Sequence, residues 1–314
     1  MNRKKLIAFS LSLAMTVVPV TPAAAAGAEQ NSEGLQNAVL DLGFENSLED
    51  SSGKGNNGTL SSGNAEYVDG VVGKALKMNG SSYVNLGTST DLQPENLTLS
   101  FWIRPDTAMT GEELISWNKN EWYTDGWYLS SENDNTPLTL SIGPAKTNGQ
   151  PYRVSVSGKR SDFFPAGEWT HIAVTYDKDS KEICFYRNGV KCSTVTTYGI
   201  SGESTGVLGS DASMEKSIGY NGPKYKGAYL KASIDEYQLY NDVATPEEVI
   251  ALYEESGQTF DRKAVAQADL DKISIPETTQ ENLSLPTTGE SGSVISWSSD
   301  NEAVVAADGT VVRP

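Results

Sequence analysis

The carboxylate pair Asp235-Glu236 is the first place in this sequence to look for acid–base chemistry. Cleavage of a glycosidic bond uses two facing carboxyl groups, and a Glu-x-Asp-x-x-Glu strand supplies them because alternate residues share one face. That spacing does not occur in the sequence. Adjacent residues of a regular strand point to opposite faces, so Asp235 and Glu236 are not expected to act together. We therefore assign no catalytic residue.

His171 is the only histidine in the chain. A metal centre with several histidines is therefore excluded, and a Ser-His-Asp arrangement would have one possible base. Because His171 falls in an alternating strand pattern, we interpret it as structural.

The segment 117–128 concentrates aromatic rings and polar side chains. Flat rings stack on the faces of sugars, and amide or carboxyl groups bond to sugar hydroxyls. The strand pattern places Trp117 and Trp127 in the core. The rest of the segment supplies a candidate sugar-binding loop whose residues are Trp122, Tyr123, Asn120 and Asp125.

A second aromatic loop, 220–225, offers Tyr220 and Tyr225 for the same purpose. The alternative for both loops is that their rings only pack against the edge of a sheet. By contrast, Trp102 and Trp169 lie in alternating strands, and we expect both in the core.

Cys184 and Cys192 are the only cysteines, and they flank Asn188-Gly189 in one predicted hairpin. A pair of cysteines in an exported chain favours a disulfide. A strict two-residue turn would pair Cys192 with Phe185 and point the sulfurs to opposite faces. A longer loop or a bulge could bring the two cysteines opposite each other, so the bridge depends on the register, and two separate thiols remain the alternative.

The elements that position these residues are mostly short strands. Alternating apolar and polar residues, with Gly, Asn, Asp and Ser clusters between them, indicate an all-β antiparallel sandwich or barrel. One helix is predicted from Thr245 to about Glu255, because Thr245-Pro246-Glu247-Glu248 provides an N-cap, a proline at the first helical position and a capping-box glutamate. Gly257 should end it.

The N-terminus has a basic start, an apolar run from Leu6 to Val20 and a small-residue stretch at 23–26. This order predicts a secretory signal peptide over residues 1–26 and a secreted, extracellular bacterial protein. A membrane anchor is the alternative, but the apolar run is shorter than the ~20 residues needed to cross a bilayer.

We divide the remainder into a linker (27–36), a large β domain (37–256), a second linker (257–264) and an incomplete small β domain (265–314). The net charge of −17 becomes about −20 when Arg3, Lys4 and Lys5 leave with the signal peptide. Such a charge argues against nucleic acid and anionic membranes as partners. We expect a monomer.

The region 39–256 resembles the laminin G-like, concanavalin A-like lectin/glucanase family in its bacterial form. The segments that carry the resemblance are 44–46, 50–59, 70–76, 79–80, 99–103, 169–177, 186–189 and 234–241. Residues 283–314 resemble the atrophied bacterial immunoglobulin-like domain through Leu285-Pro286, Gly292-Ser293, 295–299 and 308–314.

These resemblances imply a two-sheet jelly roll with one short C-terminal helix, followed by the start of an immunoglobulin-like domain. They also imply a non-catalytic, carbohydrate-binding part of a larger secreted glycoside hydrolase, such as a family 43 arabinanase, with a catalytic domain following residue 314. Two alternatives stay open, a divergent glycosidase on the same fold and an adhesion or protein-interaction module.

The resemblance further implies a structural calcium ion. The first and last strands of such sandwiches lie together, so carboxylates from both can converge with backbone carbonyls, which are the ligands that calcium prefers. Asp235, in the Ile-Asp-Glu segment, is the leading candidate ligand. Glu45, Asp41 and the carbonyl of Gly73 are the other candidates.

Overall fold

In a computed structural model the chain forms two compact units. The sandwich unit comprises Gln30–Phe260, and the small unit comprises Met1–Glu29 together with Asp261–Pro314. The structure describes residues 13–18, 35–119, 126–143, 152–196, 213–220, 229–276, 279 and 281–312.

Short strands dominate the sequence of elements. In chain order the strands are β1 (Leu13–Val18), β2 (Ala38–Leu42), β3 (Thr59–Leu60), β4 (Glu66–Asp69), β5 (Lys74–Asn79), β6 (Val84–Asn85), β7 (Leu97–Pro105), β8 (Glu113–Lys119), β9 (Gly126–Ser131), β10 (Thr139–Ile142), β11 (Tyr152–Ser155), β12 (Thr170–Tyr176), β13 (Glu182–Arg187), β14 (Val190–Thr196), β15 (Ser217–Ile218), β16 (Lys231–Tyr240) and β17 (Val294–Ser299). The α-helices are α1 (Arg160–Phe163), α2 (Pro246–Glu255) and α3 (Arg262–Asp271), and a 3₁₀ helix spans Thr90–Leu92.

The sandwich unit consists of two antiparallel sheets. One has the strand order β11-β10-β9-β8-β15-β6-β3, and the other has the order β14-β13-β12-β7-β16-β5-β4 with β2 also paired to β16. Inward residues of both sheets, such as Phe101, Ile103, Leu129, Leu140 and Val174, form one continuous apolar core. The predicted all-β, two-sheet fold class is confirmed.

Strand β16 joins the beginning of the sandwich to its end. Its first half pairs with β5 and its second half pairs with β2, with Tyr237 opposite Leu42 and Gln238 opposite Asp41. The first and last strands of the sandwich therefore lie side by side, as expected. The pairing of β16 with β7 shifts between Asp235 and Gln238, and Glu236 has a positive φ of 47°. This bulge lies where the partner of β16 changes from β5 to β2.

Helix α2 begins and ends as predicted. Thr245 caps it by accepting a hydrogen bond from the Glu248 backbone N–H at 3.3 Å, and the Glu248 carboxylate accepts one from the Thr245 N–H at 2.8 Å. Because these two bonds satisfy backbone groups that the first turn leaves free, they fix where the helix starts. Its buried side chains are Val249, Ile250 and Leu252.

The β13–β14 hairpin does not contain the expected disulfide. Arg187 pairs with Val190 across the two-residue turn, but a bulge leaves Cys192 without a cross-strand partner and sets Cys184 opposite Thr194. The bulge moves the register away from the pairing that a bridge needs. Cys184 is a buried thiol, and Cys192 is an exposed one.

In the small unit, the backbone of β1 pairs antiparallel with β17, with Leu13 opposite Ser299 and Val18 opposite Val294. Strand β1 lies within the segment predicted to be a signal peptide. Helix α3 was not predicted, and it spans the end of the expected linker and the beginning of the expected small domain. The buried Asp269 carboxylate on α3 accepts hydrogen bonds from the backbone N–H groups of Ser291 and Ser293 at 2.9 and 3.2 Å.

Of the helices in the described part of the chain, none combines the length and hydropathy that crossing a bilayer requires.

Candidate functional site

An open groove of about 390 Å³ lies on the outer face of the sheet that contains β7 and β12. We call it the aromatic groove, and its lining residues are Gly70, Val71, Trp102, Trp169, Asn188, Tyr253 and Gln258. It combines three aromatic side chains with two amides. This is the combination that sugar recognition needs.

Three elements position the aromatic side chains. Trp102 alternates with the inward residues Phe101 and Ile103 on β7, so its ring lies on the outer face of the sheet. Tyr253 on α2 stacks on Trp102, with ring centroids 5.5 Å apart and planes inclined by 26°. The helix therefore packs Trp102 from above and leaves Tyr253 half-buried at the groove.

The prediction that Trp169 is a core residue is wrong. Trp169 lies immediately before β12 and is half-buried, and the Arg104 guanidinium stands 4.8 Å from its ring centroid. Trp102 is buried as predicted, but under α2 rather than between the sheets. Trp102 points outward from β7 and is covered by α2, whereas Trp169 stays half-buried.

The amide of Asn188 reaches the groove from the β13–β14 turn. Asn188 has a φ of 50°, and its backbone N–H and Oδ1 both bond to the main chain of His171, each at 2.9 Å. These two bonds hold the turn against β12. They leave the Nδ2 group of Asn188 as the donor that can serve a ligand.

A smaller cavity of about 90 Å³ lies beside the groove and shares Trp102 with it. We call it the polar cavity, and its lining residues are Val72, Ser100, Trp102, His171, Glu236, Gln238, Leu252, Glu255 and Ser256. His171 is buried there, with Nε2 at 2.9 Å from Ser100 Oγ, while its Nδ1 has no hydrogen-bond partner. Burial lowers the pKa of His171 to about 3, so the ring is neutral.

The bulge in β16 overturns one sequence-based expectation. Asp235 is the cross-strand partner of Trp102, and Glu236 lines the polar cavity beside the same Trp102, so both carboxylates lie on the outer face. Burial raises the pKa of Asp235 to about 6. Burial, followed by the charges of Asp235, Asp41, Glu45 and Glu255, raises the pKa of Glu236 to about 7.

The candidate calcium ligands lie around the β4–β5 turn, Gly70–Gly73. Asp235 Oδ2 accepts hydrogen bonds from the N–H groups of Val71 and Val72 at 2.7 and 3.1 Å. Glu45 Oε1 accepts one from Lys74 N at 3.0 Å, and its carboxylate occupies the space where a Cβ at Gly73 would stand.

Asp41 joins this region through β2, with its Oδ1 at 3.4 Å from Gln238 Nε2. A donor set made only of carboxylate and carbonyl oxygens suits calcium. Among the residues that the structure describes, however, no three His, Cys, Asp or Glu side chains are gathered closely enough to hold a metal ion.

Tyr220 lies in a cluster with two tyrosines that the sequence did not single out, Tyr83 and Tyr229. Its ring centroid is 4.9 Å from that of Tyr83 and 4.4 Å from that of Tyr229, both in stacked geometry. Tyr220 itself is buried, whereas the other two are half-buried. The rings of this cluster mainly face one another, so edge packing explains Tyr220 better than ligand binding.

The other candidate sugar-binding residues, Asn120, Trp122, Tyr123, Asp125 and Tyr225, lie outside the described residues. Trp117 and Trp127 are buried as predicted, Trp127 in the main core and Trp117 in a separate cluster stacked on Tyr128 at 5.2 Å. No local sequence pattern marks Asn188, Tyr253 and Gln258 as binding residues.

The fold and the groove together define a two-sheet, lectin-like β-sandwich with an aromatic surface site. A family model described as the concanavalin A-like lectin/glucanases superfamily matches residues 78–250, more than half of the 314 residues, and the chain belongs to this superfamily. A second model, described as an atrophied bacterial Ig domain, matches residues 263–314. No curated protein matches the chain.

Several solved structures share the fold. Domain 4 of AbnA, a GH43 extracellular arabinanase from Geobacillus stearothermophilus in complex with arabinotriose, is 23% identical with a TM-score of 0.52, over 69% of this chain and 100% of that one. The binding domain of Paraclostridial Mosquitocidal Protein 1 is 21% identical with a TM-score of 0.52, over 70% of this chain and 52% of that one. At these identities the likeness establishes the fold alone.

A structure of botulinum neurotoxin type C, whose cell entry depends on interaction with two ganglioside molecules, is 17% identical with a TM-score of 0.51. It is matched over 70% of this chain and 51% of that one. The sandwich is thus also found in toxin binding domains.

Proposed function

We propose that the sandwich unit is a secreted, non-catalytic carbohydrate-binding module and that the aromatic groove is its glycan site. The observation that carries this proposal is the joining of Trp102, Trp169 and Tyr253 with the amides of Asn188 and Gln258 in one open groove. Aromatic faces bind the apolar faces of sugar rings, and amides bond to hydroxyls in defined directions.

The geometry favours a weak, shallow site. Trp169 is half-buried and already held by Arg104 at 4.8 Å, so its exposed surface is pre-ordered and costs little entropy on binding. Arg104 and the two amides supply donors around the rings. An open groove of this kind corresponds to millimolar to high-micromolar dissociation constants, about 4–7 kcal/mol.

The module would hold an attached polysaccharide-degrading enzyme near its substrate. The gain would be effective concentration and not chemistry. The shared fold with domain 4 of an extracellular arabinanase supports this role, as does the match to an atrophied bacterial Ig domain beside the sandwich. The basic, apolar and small-residue zones of residues 1–26 support secretion.

We further propose a structural calcium ion held by Asp235, Glu45, Asp41 and the carbonyl of Gly73. The support is electrostatic: after burial, which is the largest cause, the charge of Glu45 also raises the pKa of Asp235, and the charges of Asp235, Asp41 and Glu45 also raise the pKa of Glu236. A bound cation would offset that repulsion and fasten the β4–β5 turn.

The glycan site is tested by substitution of Trp169 in the full chain. Trp169→Ala removes a half-buried ring from the groove, and we expect loss of retention on immobilised polysaccharide with a melting temperature within a few degrees of wild type. Trp297→Ala is the matched control, since Trp297 is also half-buried but belongs to the small unit. It should bind normally.

The candidate loop 120–125 provides the rival site. Trp122→Ala should leave binding intact if the groove is the site. If Trp122→Ala abolishes retention and Trp169→Ala does not, the glycan binds the loop. If the wild-type chain is retained on no polysaccharide of a broad panel, the proposed function itself is refuted.

A further inference from the structure

The polar cavity continues the aromatic groove beneath α2. Trp102 forms a wall of both. Val71 and Tyr253 line the groove, and their chain neighbours Val72 and Leu252 line the cavity. A sugar stacked in the groove would therefore lie with one edge toward the cavity.

The cavity is acidic. Glu236 is half-buried in its wall, and the exposed Glu255 also lines it. Among the described residues that line the cavity there is no lysine or arginine, and the charges that act on Glu236 are those of four acidic side chains. A carboxylate partly removed from water is stabilised by a positive partner, and within the described part of the chain Glu236 forms no ion pair.

His171 provides an independent observation that points to a ligand. Its side chain is buried, it lines the cavity, and its Nδ1 lacks a hydrogen-bond partner. A buried ring nitrogen without a partner is costly, so an incoming polar group would gain a contact there. Because the ring is neutral, it contributes no positive charge to balance Glu236.

The cavity volume of about 90 Å³ limits what can enter. Since a cavity that holds one benzene ring has about 150 Å³, the space takes a substituent of a few atoms and not a sugar ring. An ammonium group meets all the requirements. It is small, it donates three hydrogen bonds, and it carries the charge that the carboxylates lack.

We propose that the groove and cavity together recognise an amino sugar, with its ring against Trp169 and Tyr253 and its ammonium group in the polar cavity between Glu236 and Glu255. This inference rests on the proposed glycan-binding function and adds the class of sugar. Neutral glycans would use the groove alone. Uronic acids would be repelled by the same carboxylates.

The test is a titration of the full chain at pH 7 with four oligosaccharides of equal length. These are an oligomer of glucosamine, its N-acetylated counterpart, a neutral arabino-oligosaccharide and an oligogalacturonate. We expect the glucosamine oligomer to bind about tenfold or more tightly than its N-acetylated counterpart, because a charge-assisted hydrogen bond is replaced by a neutral amide. Oligogalacturonate should bind most weakly.

Glu236→Gln keeps the shape of the cavity and removes its charge. It should remove most of the preference for the glucosamine oligomer and leave the affinity for the neutral oligosaccharide within about twofold. The control is Glu95→Gln. Glu95 is exposed, pairs with Lys178, and precedes β7 by two residues, so it lies about 17 Å or more along the strand from Trp102.

Each result decides between the proposals. Equal affinities for the glucosamine and N-acetylated oligomers, unchanged by Glu236→Gln, would overturn the amino-sugar inference and leave glycan binding intact. The amino-sugar inference would also be overturned if calcium without any sugar stabilised the wild type and Glu236→Gln removed that stabilisation, because the cavity would then hold a metal ion. Failure of all four oligosaccharides to bind would overturn both proposals.

Discussion

His171 should make the stability of the sandwich unit depend on pH in a way that can be assigned to one side chain. It is the only histidine, it is buried, and burial lowers its pKa from 6.5 to about 3. The unfolded chain therefore binds a proton below pH 6.5 that the folded chain does not bind until about pH 3. Stability that is fully present above pH 6.5 is lost as the pH falls through this window.

The size of the loss follows from the two pKa values. Each pH unit below 6.5 lowers the free energy of unfolding by about 1.4 kcal/mol. Between pH 7 and pH 5 the contribution of His171 to that free energy therefore falls by about 2 kcal/mol. Asp235 and Glu236 act in the opposite direction, because their raised pKa values make the folded state bind protons more tightly as the pH falls. The change in the wild type is therefore a sum of opposing contributions.

Substitution isolates the histidine. His171→Gln retains a group that can bond to Ser100 Oγ but does not titrate, and the measurement is the free energy of unfolding in urea at pH 7 and pH 5. On this reasoning the wild type should lose about 2 kcal/mol more than the variant between the two pH values. Equal losses in the two proteins, or an imidazole that titrates above about pH 5 by NMR, would refute it.

Three further predictions concern metal, catalysis and the thiols. Chelation should lower the melting temperature and calcium should restore it, since a ligand bound only by the folded state stabilises it; Asp235→Ala should remove the response, and a wild type indifferent to both would exclude the site. The chain should release no reducing sugar from arabinan, xylan or glucan, and release above a buffer control would restore the glycosidase alternative. An aromatic disulfide reagent should react with the exposed residue Cys192 in the folded protein, slowly because burial of the thiol raises its pKa to about 11, and with Cys184 only on unfolding; finding no thiol at all would indicate a bridge.

The sequence predicted what local patterns determine. Alternation of apolar residues is enough to place Phe101 and Ile103 in the core between the sheets. The capping residues are enough to predict that α2 begins at Pro246. The meeting of the first and last strands was also foreseen, because it follows from the resemblance to a known sandwich.

The register could not be predicted. A single extra residue at Cys192 decides whether the hairpin can carry a disulfide, and nothing in the hairpin sequence positions that bulge. The bulge at Glu236 changed the predicted site more than the bulge at Cys192 did. It brings two adjacent carboxylates to one face, which the strict alternation of a strand forbids.

The groove also escaped prediction, since it combines residues from five separate segments. Trp169 looked like a core residue because its neighbours alternate correctly, but alternation does not reveal which outward residues an added helix will cover. Helix α2 covers Trp102 and stops short of Trp169. Burial by a distant element is a property of the tertiary structure and leaves no local signal.

The β4–β5 turn, residues 70–73, takes part in both the proposed glycan site and the proposed calcium site. Gly70 and Val71 line the groove and Val72 lines the cavity, while the N–H groups of Val71 and Val72 bond to Asp235. A cation that repositions Asp235 and a sugar that presses on Val71 would thus act on the same few backbone atoms. Thermodynamic linkage then requires reciprocity: whatever factor the cation applies to sugar affinity, the sugar must apply to the affinity for the cation.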